Sequence, residues 1–406
     1  MNRIMQPKAV AVIGASAEDG KIGNSVMKNL INGGYKGEIY PIQPKADEIM
    51  GKKVYKSVKD VPGEIDIAVF AIPANLVAQA LIECGEKQVV GAILIPSGYA
   101  ETGNMKGQEE IQAIGQKYGI RLMGPNIYGF YYTHANLCAT FCTAYDVKGS
   151  AALSSQSGGI DLKDGRAFAE VAKRVSKKKP VVVLKAGRTS AGAKAASSHT
   201  GALAGDDKIY EDVFNQSGVI RARSLRDMLE FARGIPVLPT PKGENVVIIT
   251  GAGGSGVLLS DACVDNKLSL MTIPPDLDAA FRKFIPPFGA AGNPVDITGG
   301  EPPITYVNTV KLGLEDPRIH ALILGYWHTI VTPPMVFAKN MVEVKNAMKA
   351  RGTEKPIVAS LAGDIEVEEA ADYLYQNGIV AYAYSTEIPV AVLGAKYKWA
   401  RGAGLL

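Results

Sequence analysis

The stretch Lys8-Ala-Val-Ala-Val-Ile-Gly-Ala-Ser16 decides the fold class of this sequence. Its apolar run, Ala9–Ile13, has the length of a buried strand and leads through a glycine into a helical pattern at 22–33. The run also resembles the core of a signal peptide, but it is short and enters a glycine turn directly, so we interpret it as a strand. Such a strand–turn–helix unit is typical of a parallel sheet covered on both faces.

The same unit recurs along the chain and predicts three doubly wound α/β domains, at 1–128, 145–238 and 243–406. Residues 236–243 are rich in proline, which stops helices, and are interpreted as the linker before the third domain. Ligands of such sheets bind outside the carboxyl ends of the strands. The predicted elements are strands Ala9–Ile13, Glu38–Ile42, Ile67–Ile72, Gly91–Ile95 and Arg121–Met123 with helices 22–33, 75–86 and 107–118 in the first domain; strands 150–154, Pro180–Lys185 and Val219–Ile220 with helices 163–178, 207–216 and 224–233 in the second; and strands Val246–Thr250, Leu268–Thr272, His320–Tyr326, Pro356–Leu361 and Val380–Tyr384 in the third.

The composition excludes several classes of partner. The 406 residues are 47% hydrophobic and 21% charged, which is ordinary for a globular protein. A formal net charge of +4 is too small to indicate nucleic acid, and no apolar run is long enough to span a bilayer. We therefore expect neither a nucleic-acid nor a membrane partner.

The four cysteines form no CxxC pair, which indicates a reducing cytoplasm. Cys138 and Cys142 could pair or bind a metal. No histidine or carboxylate cluster completes such a site, so two buried free thiols are favoured and no metal site is predicted.

The turn after the first strand, from Gly14 to Gly23, has the character of a phosphate site, because its glycines let the backbone approach an anion at a helix N-terminus. Its spacing departs from the GxGxxG pattern. The second strand ends at Lys45, where a NAD site needs an acidic residue for the ribose hydroxyl. A lysine there attracts a ribose phosphate, so NADP or coenzyme A fits better than NAD. An ordinary exposed lysine is the alternative.

Three further strand ends carry small or turn-forming residues, at Ala71–Ala74, Pro96–Gly98 and Gly124–Asn126. Each could be an ordinary turn. Together, on one edge of one sheet, they predict a groove for an extended molecule.

Two more glycine-rich turns, Ser154–Gly159 and Thr250–Gly256, stand between a strand and a helix. Such turns bind phosphate through free N–H groups. Neither ends in the Lys-Ser/Thr of a Walker loop, so neither is an autonomous ATP site. Close helix packing is the alternative explanation of the glycines.

His199 is one of four histidines and lies in the stretch 192–205, where its neighbours are small. This composition predicts a mobile loop. A neutral imidazole is a good nucleophile for phosphorus, and a mobile loop can carry a phosphoryl group between sites. A satisfied surface histidine is the alternative. His134 and His328 are expected to pack or to face a partner, and His320 to start a strand.

Seven motifs together resemble the α subunit of NDP-forming acyl-CoA synthetases, the ADP-forming acetate–CoA ligase group related to succinyl-CoA synthetase. They occur in the order of that family and span nearly the whole chain. The motifs are Val12-Ile-Gly-Ala-Ser16, Tyr40-Pro-Ile-Gln-Pro-Lys45, Gly124-Pro-Asn126, Ser155-Gln-Ser-Gly-Gly159, Lys185-Ala-Gly-Arg-Thr189, Ser198-His-Thr-Gly-Ala-Leu-Ala-Gly205 and Asn293-Pro-Val-Asp-Ile-Thr298.

The resemblance implies a Rossmann-like CoA-binding domain followed by two flavodoxin-like domains of the succinyl-CoA synthetase type. It also implies the reaction acyl-CoA + phosphate + NDP ⇌ acid + CoA + NTP, through a phosphohistidine at His199. Coenzyme A would be bound in this chain, whereas ADP/ATP and Mg²⁺ would be held by a β subunit. With the turns above, the expected phosphate-binding residues are Ser155, Gln156, Ser157, Gly158, Gly159, Gly253 and Gly254. The expected CoA-binding residues are Gly14, Ser16, Lys45, Pro73, Ser97, Gly98 and Asn126.

The sequence departs from the family in two main respects. After Gly159-Ile160 it runs almost directly into the helix near Lys163, and the one or two strand–helix units of about 30 residues each that relatives have there are missing, together with a glutamate that orients the histidine. This is either a real deletion or an omission from the sequence. No ATP-grasp region follows the third domain, so we expect a separate β subunit and a hetero-oligomer. Ile127, where many relatives have cysteine, is expected to matter little.

Two other functions compete with the ligase. One is a non-catalytic CoA-binding or regulatory module derived from the same family by the deletion. The other is a nicotinamide-dependent oxidoreductase, which the spacing of the first turn and the absence of an acidic residue after the second strand disfavour.

Overall fold

The computed structural model describes residues 2–143, 149–152, 165–200 and 206–406, and of 196–200 only the backbone. The chain divides into two compact units. Unit 1 is Met1–Lys163 with Ala186–Ala204, and unit 2 is Asp164–Lys185 with Gly205–Leu406. The three predicted domain ranges stay a prediction.

The described elements alternate between strand and helix along most of the chain. The strands are β1 (Ala9–Ile13), β2 (Glu38–Ile42), β3 (Glu48–Ile49), β4 (Lys52–Lys53), β5 (Ile67–Phe70), β6 (Gly91–Leu94), β7 (Arg121–Met123), β8 (Gly129–Tyr132), β9 (Leu137–Thr140), β10 (Val182–Leu184), β11 (Ile220–Ala222), β12 (Asn245–Thr250), β13 (Ser269–Leu270), β14 (Val295–Asp296), β15 (Ala321–Trp327), β16 (Ile357–Ala362) and β17 (Val380–Ala383). The helices are α1 (Asn2–Met5), α2 (Ile22–Asn32), α3 (Ala74–Glu86), α4 (Met105–Tyr118), α5 (Gly165–Ser176), α6 (Ser190–Thr200), α7 (Asp207–Gln216), α8 (Leu225–Gly234), α9 (Gly253–Asp265), α10 (Pro275–Phe281), α11 (Pro303–Glu315), α12 (Pro334–Ala350), α13 (Glu366–Gln376) and α14 (Glu387–Gly402).

Unit 1 contains a five-stranded parallel sheet in the order β2-β1-β5-β6-β7, which confirms the five strands predicted for the first domain. All five residues of β1 are buried, and they alternate between two cores. Val10 and Val12 pack with Leu30 of α2 on one face. Ala11 and Ile13 lie in the core of the other face, because successive strand residues point to opposite sides.

The hairpin of β8 and β9 was not predicted. The two strands pair antiparallel, and the turn between them has Asn136 in the left-handed region (φ 51°). Leu137, Cys138 and Ala139 of β9 are buried against α2, whereas Cys142 beyond the strand is exposed. The expectation that both thiols are buried is therefore wrong for Cys142.

Unit 2 contains a two-stranded parallel sheet, β10–β11, and a six-stranded parallel sheet in the order β13-β12-β15-β16-β17, with β14 also on β12. The strands and helices predicted within 165–238 and the strands predicted within 245–406 are confirmed within a few residues, although β13 covers only two of the five residues expected. The strand expected near 150–154 is absent from 149–152, and 153–154 lie outside the described residues. Among the residues that the structure describes, none of the helices combines the length and the apolar character that a membrane span requires.

The loop predicted for the segment that carries His199 is wrong up to residue 200, since 190–200 form helix α6. The segment lacks apolar periodicity, but alanine has the highest helix propensity, and Ala191, Ala193 and Ala195 supply it. Thr189 stabilises the first turn, because its Oγ1 accepts from the N–H of Gly192 (3.1 Å). Residues 201–205 lie outside the described part of the chain. Within unit 1, α6 lies against the 3-10 turn Ala100–Thr102.

Candidate functional site

The glycine turn after β1 is closely packed. Gly14 has a φ of +88°, and a Cβ there would meet the carbonyl oxygen of Ala71 and, at 2.7 Å, the side chain of Ile72. A Cβ on Gly23 in α2 would collide with the backbone of Gly14. Both glycines therefore allow the helix start and the ends of β1 and β5 to approach one another. Ser16 lies in the turn, and its Oγ accepts from the N–H of Glu18 (3.0 Å).

Lys45 stands beyond the carboxyl end of β2, which pairs with β1. Its side chain is exposed, and no ion pair involves it among the residues that the structure describes. Its backbone N–H donates to Oε1 of Gln43 (3.0 Å), which holds the residue near the strand end. An unpaired ammonium group at this edge can attract a phosphate.

A cleft of about 360 Å³, the first-sheet cleft, opens at the carboxyl ends of β5, β6 and β7. It brings together Pro73, Ser97 and Asn126, which the sequence predicted to share a groove. The backbone N–H of Asn126 donates to the carbonyl of Pro96 (2.8 Å), so neighbouring strand ends are joined directly. The cleft is lined by Ile22, Ile72, Pro73, Ala74, Ile95, Pro96, Ser97, Asn126, Ile127, Tyr128 and Phe141.

Gly98 lies beside the cleft rather than among its lining residues. It has a φ of +110°, and its N–H donates to Oε1 of Glu101 (2.5 Å). The adjacent Tyr99 is buried, and burial together with Glu101 raises the pKa of its hydroxyl. Its hydroxyl donates to the carbonyl of Ala74 (3.2 Å), so this turn fixes the first residue of α3.

The aromatic wall of the cleft was missed by the sequence analysis. Tyr128 and Phe141 lie with their ring centroids 5.3 Å apart, and both line the cleft. Tyr128 precedes β8 and Phe141 follows β9, so the unpredicted hairpin brings them together. The aromatic-rich stretch Tyr128–Tyr132, which follows Asn126 and Ile127, was the available signal.

The glycine turn of the six-stranded sheet in unit 2 has different surroundings. The sequence predicts Gly253 and Gly254 in the turn before a helix, whereas in the structure they are the first two residues of α9. A Cβ on Gly253 would lie 2.9 Å from Oδ2 of Asp296, whereas one on Gly254 would have nothing within 4 Å. Gly251 packs against the hydroxyl group of Tyr306. This tyrosine is buried, and burial raises the pKa of its hydroxyl group. A carboxylate thus already stands beside this helix N-terminus.

The predicted phosphohistidine machinery is only partly described. The turn Ser155, Gln156, Ser157, Gly158 and Gly159 lies outside the described residues. His199 is in the last turn of α6, and its side chain is also outside the description. Their chemical roles stay predictions.

The other three histidines lie in different surroundings. His134 is exposed and stacks on Tyr132, with 5.2 Å between ring centroids. His320 precedes β15 by one residue, and burial lowers its pKa. His328 is partly buried, and its Nδ1 lies 3.1 Å from Oδ1 of Asp364. Aromatic packing is thus seen for His134, whereas His328 faces a carboxylate.

Comparisons with known proteins cover nearly the whole chain. Three family profiles match: a CoA binding domain at 8–133, a succinyl-CoA ligase like flavodoxin domain at 161–235 and a Ligase-CoA domain at 246–406. The α subunit of acetate–CoA ligase [ADP-forming] I of Pyrococcus furiosus is 40% identical over 99% of this chain and 98% of its own length. Acetate–CoA ligase [ADP-forming] of Methanocaldococcus jannaschii is 38% identical over 98% of this chain, which covers 63% of that protein.

A solved structure is similar to this chain over nearly its full length. The dinucleotide forming acetyl-coenzyme A synthetase 1 of Ca. Korarchaeum cryptofilum, in complex with phosphate and ADP, is 36% identical over 99% of this chain and 97% of that chain, with a TM-score of 0.94. The fold and the family profiles define an α/β protein of the acid–CoA ligase class with a CoA-binding domain. The chain belongs to the family of α subunits of NDP-forming acyl-CoA synthetases. Its relatives carry the names of catalytic ligases, which supports a catalytic role over the non-catalytic module.

The comparison also measures what the chain lacks. The alignment with the Pyrococcus furiosus subunit extends over 457 positions, whereas this chain has 406 residues. The relative therefore contains at least 51 residues that have no counterpart here. This length agrees with the one or two strand–helix units expected to be missing from the second domain.

Proposed function

We propose that this chain is the α subunit of an NDP-forming acid–CoA ligase that converts acyl-CoA, phosphate and NDP into acid, CoA and NTP. The observation that carries the proposal is the first-sheet cleft, which brings Pro73, Ser97 and Asn126 to the carboxyl edge of a CoA-binding domain. Ligands of open parallel sheets bind at this edge. Acetate, the acid named in both curated relatives, is the first substrate to test.

Coenzyme A is proposed to extend along this edge. Lys45, exposed beyond β2, would attract its ribose phosphate, while Gly14 and Ser16 would face its phosphates at the start of α2. None of the residues that line the cleft is charged, so the cleft with its Tyr128–Phe141 wall suits the uncharged end of the molecule. Gly98 would let the backbone approach it beside Ser97.

His199 is proposed to accept the phosphoryl group and to pass it to NDP. The turn Ser155–Gly159 and the start of α9 at Gly253–Gly254 would stabilise that group by their N–H groups. The motif order of the family supports these roles. Asp296 lies beside Gly253, so the negative charge of its carboxylate would repel a phosphoryl group that arrives at this turn.

The nucleotide site is proposed to lie on a separate ATP-grasp β subunit, which would bring ADP/ATP and Mg²⁺ into a hetero-oligomer. The chain covers 98% of the Pyrococcus furiosus α subunit but 63% of the Methanocaldococcus jannaschii ligase, so the latter has a further third in one polypeptide. A cytoplasmic location is proposed because the four cysteines are free thiols, a state that a reducing compartment maintains.

The missing residues are proposed to be a deletion at the junction of Ile160 and Asp161. The flavodoxin-like family profile begins to match at 161, directly after this junction. The described sheet of this region has two strands, β10 and β11, which is few for an independent sheet. A shortened second domain would change how the turn Ser155–Gly159 is held rather than where coenzyme A binds.

One labelling experiment tests the proposal. The purified chain is incubated with acetyl-CoA and ³²P-phosphate, and protein-bound label is measured after acid and base treatment. We expect base-stable, acid-labile label that disappears in His199→Asn and persists in the control His134→Asn, an exposed histidine. Calorimetry should show unchanged CoA binding in both variants. Label that persists in His199→Asn contradicts the phosphohistidine, and intact CoA binding without any label indicates the non-catalytic module.

A further inference from the structure

A turn beside the first-sheet cleft is organised around one carboxylate. The turn, Gly98–Thr102, follows β6 at the carboxyl edge of the first sheet. Oε1 of Glu101 accepts from the backbone N–H of Gly98 (2.5 Å) and from that of Tyr99 (3.2 Å). Gly98 has a φ of +110°, a conformation that side chains rarely allow, so the chain can point both N–H groups at one oxygen. Glu101 therefore fixes the shape of the turn.

The turn is attached to the wall of the cleft. Ser97, directly before it, lines the cleft, and so does Ala74. The hydroxyl of Tyr99 donates to the carbonyl of Ala74 (3.2 Å). A Cβ on Gly98 would lie 3.3 Å from the Cβ of Ala74, so the two residues are packed closely. A molecule that contacts Ser97 or Ala74 therefore contacts residues whose positions depend on the turn.

Helix α6 lies against the same turn. Residues 186–204 belong to unit 1, although β10 before them and α7 after them belong to unit 2. Among the elements that the structure describes, the one that α6 contacts most extensively is the 3-10 helix Ala100–Thr102. In the described part of the chain, this contact is therefore the main attachment of α6 to unit 1.

Helix α6 needs such an attachment. It has 11 residues, and helices shorter than about 12–15 residues are marginal in water unless tertiary contacts hold them. Its residues are small or polar, so it has no apolar stripe to bury. The hydrogen bond from the N–H of Gly192 to Oγ1 of Thr189 (3.1 Å) stabilises only its first turn. The stability of α6 hence depends on the shape of the turn that it contacts.

The turn uses only one oxygen of the Glu101 carboxylate. Oε2 has no hydrogen bond or ion pair with the residues that the structure describes. A glutamine could therefore replace Glu101, since its amide oxygen can accept from the same two N–H groups. The turn requires a hydrogen-bond acceptor at this position rather than a negative charge.

We propose that Glu101 is a positioning residue that couples the CoA site to the histidine-bearing helix α6 through the turn Gly98–Thr102. Coenzyme A in the cleft holds Ser97 and Ala74, the turn keeps its shape, and α6 stays against it. Coupling of this kind is reciprocal, so α6 in its place also favours CoA binding. The inference rests on the proposed function, because the ligand of the cleft and the role of His199 come from it.

Amide hydrogen exchange measures the attachment of α6 directly and requires no catalysis. Peptides that cover residues 186–195 of the full chain are followed by mass spectrometry, with and without CoA. We expect CoA to slow the exchange in the wild type. Glu101→Ala leaves both N–H groups of the turn without their acceptor, so the exchange of α6 should become at least tenfold faster, and CoA should no longer slow it.

Two further variants separate the acceptor from the charge and from a general effect. Glu101→Gln should exchange as the wild type does, because the acceptor is retained. Glu109→Ala is the matched control, since Glu109 is an exposed glutamate of α4 in the same unit. Thermal unfolding followed by circular dichroism checks that each variant is folded. If Glu101→Ala unfolds unit 1, Glu101→Asp takes its place, because its shorter side chain withdraws the acceptor and should give a smaller rise in exchange.

The rate at which His199 is labelled from acetyl-CoA and ³²P-phosphate gives a second readout. At saturating acetyl-CoA, Glu101→Ala should slow the labelling at least tenfold, and the affinity for acetyl-CoA should fall by less than the rate. Glu101→Gln should restore both. A merely structural role would lower the folded fraction and leave the rate per folded molecule unchanged.

Three results overturn the inference. One is an exchange rate of α6 that is the same in Glu101→Ala, or in the aspartate variant that replaces it, as in the wild type. Another is an exchange rate in the wild type that CoA does not change although calorimetry shows that CoA binds. The third is a Glu101→Gln variant as impaired as Glu101→Ala, which would assign the effect to the charge. If the wild type neither binds CoA nor becomes labelled, the proposed function fails and the inference fails with it.

Discussion

The first sheet of unit 1 and the six-stranded sheet of unit 2 share one plan but use their carboxyl edges differently. Each has a glycine turn after a central strand, β1 or β12, and a helix that starts there. In the first sheet the neighbouring strand ends leave a cleft of about 360 Å³. In the second, Tyr306 and Asp296 stand beside the turn, and exposed apolar residues such as Trp327 lie further along the edge. Topology determines where a ligand can bind, and the side chains between the strand ends determine which ligand fits there.

The two glycine turns should respond oppositely to alanine, and this is the largest effect we expect. Gly14→Ala puts a Cβ into the backbone of Ala71 at a φ of +88°, so it should destabilise unit 1 by about 3 kcal/mol and weaken CoA binding at least a hundredfold. Gly254→Ala has open space in a helix and should be neutral or stabilise unit 2 by up to about 1 kcal/mol.

Thermal unfolding followed by circular dichroism and calorimetry with CoA measure both effects. Tryptophan fluorescence isolates unit 2, because Trp327 and Trp399 are both in it. If Gly14→Ala binds CoA normally, the packing of the first turn is not what shapes the site.

Filling the first-sheet cleft should lower the affinity for CoA without unfolding the protein, whereas a similar change on the six-stranded sheet should not. Ala74 lines the first-sheet cleft at the start of α3, so Ala74→Phe should place a ring in it and weaken CoA binding about tenfold. Ile365→Phe adds a ring at an exposed position after β16 and should leave CoA binding unchanged. Equilibrium binding of CoA to both variants is the measurement, and equal affinities would show that CoA does not enter the cleft.

The smallest effect expected is a pH dependence at the amino edge of the six-stranded sheet. Arg318 donates to Asp316 and Asp276, and these hydrogen bonds lower the pKa of both carboxyl groups. A lowered folded pKa contributes stability above the unfolded value of about 3.9, and this stability is lost as the pH falls below it. Arg318→Gln should therefore flatten the fall of unit 2 stability below about pH 4.

Urea unfolding followed by tryptophan fluorescence between pH 3 and pH 6 measures this slope. Part of the slope should remain in Arg318→Gln, because Arg221 likewise lowers the pKa of Asp207, and Arg401 that of Glu244. In the first sheet the corresponding edge is held by Asp66, which accepts from Lys8 N–H (2.6 Å) and from Arg3. If Arg318→Gln shows the same dependence of stability on pH as the wild type, the hydrogen bonds of Arg318 do not cause that dependence.

The sequence by itself determined the parts of this protein that depend on local patterns. Short apolar runs such as Ala9–Ile13, ended by glycine or proline, suffice to define buried parallel strands, because each strand needs only its own side chains to be recognised. The glycine turns and the convergence of Pro73, Ser97 and Asn126 follow from the rule that parallel strands end at one edge.

Tertiary structure alone decided what depends on residues far apart in the chain. Tyr128 and Phe141 form one wall only because an antiparallel hairpin returns the chain across 12 residues. Asp364 and Tyr384 meet only because β16 and β17 are neighbours. Helix α6 shows the same limit at short range, since alanine propensity makes a helix where apolar periodicity indicates none. Periodicity in the sequence indicates which face of an element is buried. A binding site depends on residues that are far apart in the sequence and lie side by side only in the folded chain.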